Sequence, residues 1–162
     1  VQTDLKHGPV FYGHLQLILG GLWLTGNTLN RVVSTHVKVI RIITAGTGIS
    51  LIISVVMLVL DLSGVFNVVV LAVPVGAIYF LMAMVWPNGY SMCLSRFPDA
   101  GGSANALVSG LFIIVSAAFT ATASLLESAT AWPMWSLYIC VLAGAGLFFA
   151  GLLRSEFDYK VG

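Results

Sequence analysis

The chain has 162 residues, of which 59% are hydrophobic and only 8% are charged, and its formal net charge is +1 at pH 7. Soluble domains carry about 25% charged residues, so this composition excludes a soluble globular protein. The near-zero net charge also excludes a basic surface for nucleic acid. Its charged residues fall between long apolar segments, where a bilayer tolerates them. We therefore expect an integral membrane protein whose first partner is the lipid bilayer.

Five apolar segments are long enough to cross a membrane. Hydrocarbon about 30 Å thick requires about 20 apolar residues in a helix, and lipid leaves other backbone structures unsatisfied. The sequence therefore predicts an all-α, polytopic membrane helix bundle that forms a single transmembrane domain over residues 1–162. Its spans are expected at approximately 10–29, 39–60, 65–87, 104–126 and 133–153. In the third span, Pro74 is expected to interrupt the helix and Pro87 to end or kink it.

The distribution of basic residues between the spans predicts the orientation. Six of the seven Lys and Arg residues lie in the first loop, the third loop and the C-terminal tail, and only Lys6 lies on the other side. Cytoplasmic loops collect Lys and Arg, so these loops and the C-terminus are expected inside. Short loops without glycosylation sequons on the outer side favour a bacterial inner membrane. Because Val1 is then outside, we expect at least one helix upstream of it.

Polar and aromatic residues recur at helical spacing in the first, third and fourth spans. Such stripes indicate helices that line a cavity, and faces rich in aromatic residues and Met suit large apolar ligands. The second span instead carries Gly46, Ser50 and Ser54, a ridge of small residues that favours close helix packing. We predict that spans one, three and four surround a cavity, although the stripes could also be interhelical packing. The candidate substrate-binding residues are Gln16, Trp23, Asn27, Tyr79, Met82, Trp86, Asn105 and Ser109.

Titratable residues and cysteines give no sign of reaction chemistry. Cys93 and Cys140 lie in different spans without the spacing of metal ligands, so neither a metal site nor a cofactor is expected. No pattern of nucleophile and base or of paired carboxylates is visible, so an enzyme is not expected. We expect His14 to be exposed at the membrane interface. Asp61 and Glu127 lie at the ends of spans, where solvation by the loops explains them.

Two segments resemble a known family. The segment VFYGHLQLILGGLWLTGNTLNRVV resembles the eighth helix of drug/proton antiporters of the major facilitator superfamily, of the bicyclomycin-resistance type. The segment PVGAIYFLMAMVWPNGYSMCLSRFPDAGGSANALVSGLF resembles the tenth and eleventh helices, with Pro87-Asn88, Phe97-Pro98 and the run Ala100 to Ala106 in corresponding positions. The loop after Arg31 departs from the family because it lacks an Arg-rich, Gly-containing run.

The resemblance implies a fold and a function. The chain would supply helices eight to twelve of a fold with two halves, in which helices eight, ten and eleven line the central cavity. The protein would be a secondary active transporter that exports small amphipathic molecules in exchange for protons by alternating access. Its partners would be the small-molecule substrate and a missing N-terminal half, which holds the family's proton-coupling carboxylates. The alternative is a non-transporting membrane scaffold or assembly subunit, docked to partner subunits through its Gly- and Ala-rich faces.

Overall fold

The structure is a computed structural model that describes residues 9–64, 68–125 and 132–161. These residues form a short 3-10 turn at Pro98–Ala100 and five α-helices: α1 (Pro9–Val33), α2 (Val39–Leu62), α3 (Val68–Leu94), α4 (Gly101–Leu125) and α5 (Trp132–Val161). The predicted all-α fold is therefore confirmed. Lys6, Glu127, the predicted start of span three at 65 and the predicted end of span four at 126 lie outside the described residues.

Three described helical stretches are long and apolar enough to cross a membrane, namely Val39–Leu62, Leu71–Leu94 and Pro98–Leu125. At about 1.5 Å per residue, a helix as long as α2 exceeds the thickness of the hydrocarbon layer. These stretches indicate an integral membrane protein. A shorter apolar stretch, Trp132–Leu147, begins α5. The crossing of the membrane by α1 and α5 stays a prediction.

Helix α3 lies at the centre of the bundle. It packs extensively against α1 and α2, α2 packs in turn against α5, and α4 touches α3 and α5 at few positions. The hydrophobic core joins α2, α3 and α5 through the buried side chains of Met57, Ile78 and Trp135. At Gly46 of α2, an added Cβ would lie 2.5 Å from Cγ2 of Val85, so α2 and α3 approach closely there. Gly46 of the small-residue ridge therefore packs against α3, and Ser50 and Ser54 of the same ridge are fully buried.

Helix α1 also approaches α3 closely. A Cβ at Gly26 would lie 2.6 Å from the backbone oxygen of Phe80 and 2.9 Å from Cβ of Ala83, so only glycine fits without a shift. One turn further along α1, Oδ1 of Asn30 accepts a hydrogen bond of 2.7 Å from Nδ2 of Asn88. Both amides are buried. Close packing and a buried polar contact thus join the two helices at the end predicted to face the cytoplasm.

Helix α3 continues through both of its prolines. It passes Pro74 and Pro87 and ends at Leu94, so the prediction of an interruption at Pro74 and the option that Pro87 ends the third span are wrong. Each proline removes one N–H donor from the helix, but packed neighbours hold a membrane helix together across such a gap. Nδ2 of Asn88 also donates a hydrogen bond of 2.8 Å to the Met84 carbonyl in the same turn.

The contact between α1 and α3 can be tested with a glycine pair. We expect Gly26→Ala to lower the free energy of unfolding by about 1–3 kcal/mol, because the added methyl overpacks the interface. Unfolding in mixed micelles, followed by circular dichroism, measures this loss. The matched control is Gly20→Ala in the same helix, where an added Cβ meets no atom within 4 Å. Equal stability of both variants would contradict the close approach of the two helices.

Candidate functional site

An aromatic and polar cluster joins α3 to α4. Trp86 and Tyr90 lie one turn apart on α3, with ring centroids separated by 5.9 Å, and Trp86 lies 4.6 Å from the ring of Phe112 on α4. The Tyr90 hydroxyl donates a hydrogen bond to Oδ1 of Asn105, and its oxygen lies 3.2 Å from Oγ of Ser109. We call these five residues the α3–α4 cluster. Steps of three and four residues place the members of each helix on one face.

An open groove runs beside this cluster along the last turns of α3. Its volume is about 590 Å³, and it is lined by Trp86, Pro87, Tyr90, Ser91, Leu94 and Ser95. Sites for small molecules commonly occupy about 300–1,000 Å³, with apolar walls and a few polar groups. The groove has aromatic faces and hydroxyl groups, but it is wide open, so its volume is not that of an enclosed pocket. Its lining comes from α3 and the residue that follows α3, so an enclosed site needs a facing wall from another element.

A second aromatic contact joins α1 to α3. The rings of Trp23 and Tyr79 meet edge to face, with centroids 6.2 Å apart and planes at 72°. Asn27 lies one turn after Trp23 and donates from Nδ2 to the Trp23 carbonyl at 3.0 Å. Trp23 is 36% exposed and both Asn27 and Tyr79 are half-buried. We call these three residues the α1–α3 group; they retain exposed surface for a ligand.

The eight predicted site residues fall into three sets: members of the two groups just described, the exposed Gln16, and Met82, which packs against the core. Six belong to the two groups just described, with Trp86, Asn105 and Ser109 in the α3–α4 cluster and Trp23, Asn27 and Tyr79 in the α1–α3 group. Gln16 is exposed on α1, about two turns before Trp23.

Met82 belongs to neither group and packs against the core of Met57, Ile78 and Trp135. A helix rotates by about 100° per residue, so Met82 lies roughly 60° from Tyr79 but only about 40° from Ile78. That rotation turns Met82 toward the core.

Two residues of the α3–α4 cluster were not among the predicted substrate-binding residues. Tyr90 and Phe112 belong to the polar and aromatic stripes of their spans. Tyr90 follows Trp86 by four residues and Phe112 follows Ser109 by three, so helical spacing could have identified both as site residues. Tyr90 is the residue that bonds to both polar members of α4. The stripes did not reveal the partner of Asn30, because the contact with Asn88 depends on how α1 and α3 pack.

Asp61, the acidic residue at the end of α2, was expected to be solvated by the loop, but the structure buries it. Asp61 is only 6% exposed, and within the described part of the chain neither of its carboxylate oxygens has a hydrogen-bond partner. Its place in the last helical turn puts it on the face that packs against the bundle. His14, by contrast, is exposed as expected. Among the described residues, no group of three His, Cys, Asp or Glu side chains could hold a metal ion.

Comparisons with known protein families, with characterised proteins and with solved structures give no match for this chain. Function depends on the residues of the site and not on the fold that carries them. Their chemistry is that of recognition, since ring faces, amides and hydroxyl groups bind and orient a ligand.

The hydrogen bond between Tyr90 and Asn105 can be tested by a double-mutant cycle. We expect Tyr90→Phe and Asn105→Ala to be coupled by about 0.6 kcal/mol, and by no more than about 1.7 kcal/mol, as hydrogen bonds between membrane helices are. The measurement is the free energy of unfolding of both single variants and of the double variant. Thr28→Val is the control for loss of a hydroxyl group, because the Thr28 hydroxyl donates its hydrogen bond to the Leu24 carbonyl of the same helix. Strictly additive effects of Tyr90→Phe and Asn105→Ala would show that the two side chains do not interact.

Proposed function

We propose that this chain forms part of the C-terminal half of a secondary active transporter of the major facilitator type, which exports small amphipathic molecules in exchange for protons. The observation that carries the proposal is the placement of the aromatic and amide side chains. They lie on α1, α3 and α4 at positions with exposed surface, whereas α2 and α5 pack together behind α3. The sequence resemblance assigns the same three helices to the central cavity.

The side chains of the two groups suit an amphipathic substrate. The rings of Trp23, Tyr79 and Trp86 offer apolar faces, which stack on flat molecules and attract organic cations. Asn27, whose amide lies beside Trp23, supplies a polar group for orientation. A few polar groups on mostly apolar walls are what binding sites for small molecules need.

The exposed side of α2 supports its assignment to the lipid side. From Gly46 onward its exposed large side chains are all aliphatic, namely Ile49, Ile52, Val55, Val56, Val59 and Leu62. The opposite side carries the buried small residues Gly46, Ser50 and Ser54, of which Gly46 packs on α3. Lipid solvates such an aliphatic surface well, whereas a water-filled cavity would not. With the distribution of basic residues, this supports a multi-pass protein of a bacterial inner membrane with its C-terminus in the cytoplasm.

Sparse packing of α4 suits a transporter that works by alternating access. Such transporters move one set of helices against another around a fixed site. Because α4 touches α3 and α5 at few positions, its displacement breaks fewer contacts than displacement of α1 or α2. The hydrogen bonds that link Tyr90 with Asn105 and with Ser109 would be among those exchanged.

The sparse packing of α4 also favours the alternative function, a non-transporting scaffold. Outside its contacts with α3 and α5, α4 exposes large apolar side chains, including Leu107, Leu111, Ile113 and Ile114. Helices of another subunit could cover them. Changes in the aromatic groups would then affect assembly with that subunit and leave substrate flux unchanged.

Removal of the aromatic side chains tests the proposal. We expect Trp23→Ala and Tyr79→Ala to change the apparent affinity for individual amphipathic substrates by roughly twofold to tenfold, because aromatic contacts contribute about 0.5–1.5 kcal/mol each. The measurement is efflux of several fluorescent amphipathic molecules from vesicles energised by a pH gradient, in the native membrane.

The control for these variants is Leu24→Ala, which shortens an exposed side chain beside Trp23. It should leave both transport and expression unchanged. Unchanged transport of every substrate in both aromatic variants would contradict the assignment. Loss of a co-purifying membrane subunit with intact flux would favour the scaffold.

A further inference from the structure

Three basic side chains lie where α1 passes into α2, at the end of the bundle predicted to face the cytoplasm. Arg31 belongs to the last turn of α1, Lys38 directly precedes α2, and Arg41 belongs to the first turn of α2. All three side chains are exposed. The candidate binding site uses none of these cations.

The carboxylates of the described chain lie on other elements or at the other end of α2. Residues 9–60 contain no Asp or Glu. Asp61 is about 30 Å from Arg41, since twenty residues of helix separate them at 1.5 Å each. Asp99 belongs to the 3-10 turn, which packs against α4. The described parts of α1 and α2 therefore present a positively charged end.

Backbone hydrogen bonds order the connection between the two helices. The N–H group of Ser34 donates to the Asn30 carbonyl at 2.8 Å, and that of Val37 donates to the Val33 carbonyl at 2.9 Å. The chain thus continues in tight turns from the end of α1 almost to the start of α2. This connection keeps the three basic residues at one end of the bundle.

Both arginines lie on the sides of their helices that face away from α3. Gly26 and Gly46 mark the sides of α1 and α2 that approach α3. Arg31 follows Gly26 by five residues, and Arg41 precedes Gly46 by five. At about 100° per residue, each arginine is rotated by roughly 140° from the contact with α3.

An aliphatic surface continues along α2 from Arg41 toward the middle of the membrane. Ile52 and Val59 follow Arg41 by 11 and 18 residues, so they lie within about 20° of it around the helix. They are 64% and 58% exposed. A cation at the end of an aliphatic face matches a phospholipid, whose phosphate lies at the end of its acyl chains. A free phosphate would use the cations alone.

We propose that Arg31, Lys38 and Arg41, with the aliphatic face of Ile52 and Val59, form a binding surface for anionic phospholipids. We call these five residues the α1–α2 surface. Guanidinium groups donate paired hydrogen bonds to phosphate oxygens, and clustered basic residues beside a membrane span attract anionic headgroups. A zwitterionic lipid carries no net charge and gains little from the three cations. This surface is independent of the proposed transport function.

Native mass spectrometry of the purified full-length protein in detergent tests the proposal. Wild type and the double variant Arg31→Gln/Arg41→Gln, which differ in mass, compete for phosphatidylglycerol in one solution. We expect the variant to bind it about 25-fold more weakly, because each basic residue near the headgroup contributes roughly fivefold. Phosphatidylcholine should bind weakly and equally to both proteins.

Two control variants accompany this experiment. Arg31→Lys/Arg41→Lys keeps both charges and should retain most of the affinity. Arg96→Gln removes an exposed positive charge outside the α1–α2 surface and should bind phosphatidylglycerol as the wild type does. Circular dichroism verifies that each variant is folded.

Three results would overturn the proposal. One is equal affinity of the wild type and the double glutamine variant for phosphatidylglycerol. Another is equal affinity of the wild type for phosphatidylcholine and phosphatidylglycerol. The third is displacement of phosphatidylglycerol by inorganic phosphate at the same concentration, which would indicate an anion site without a role for acyl chains.

Discussion

The close approach of α1 to α3 at Gly26 fixes the relative position of the two helices that carry the α1–α3 group. Because a side chain at that position would collide with the backbone of Phe80, glycine lets the two helices come into backbone contact. The buried hydrogen bond between Asn30 and Asn88 then fixes their relative position one turn away. Close contact through small residues is the main source of attraction between helices in lipid, where the hydrophobic effect is weak.

Helix α3 has two sides with different roles. On one side, α2 covers it, and Trp135 of α5 joins Ile78 and Met57 in the hydrophobic core. On the other side, Tyr79, Trp86 and Tyr90 form aromatic and polar contacts with α1 and α4. The extensive contacts of α3 with α2 therefore lie on one side, while α4, which makes few contacts, lies near the groove. The proposed alternating access would use α3 as the fixed platform and α4 as the helix that moves.

Length and hydropathy were sufficient to predict the helical fold, since lipid allows the backbone few other structures. The end of α3 was not predictable from Pro87, because its neighbours stabilise the helix beyond that residue. Similarly, helical spacing identified Trp86 and Ser109 as members of exposed stripes. It could not show that Met82 turns toward the core, because that depends on which side α2 occupies.

Asp61 is a second residue whose surroundings depend on helix packing and not on the local sequence pattern. Its position at the end of a span suggested contact with water, yet the packing of α2 covers it. Sequence patterns thus indicated which residues could form a site, whereas contacts between helices decided which of them meet.

The proposed function requires that α1, α3 and α4 face a water-filled cavity while the outer side of α2 faces lipid. Labelling of single cysteines with a membrane-impermeant maleimide, in a background with Cys93→Ser and Cys140→Ser, tests it most directly. We expect labelling of cysteines placed at Asn27, Tyr79 and Ser109 and none at Ile52 and Val56, the positions assigned to the lipid side. Labelling at the two α2 positions, or none at the three cavity positions, would contradict it.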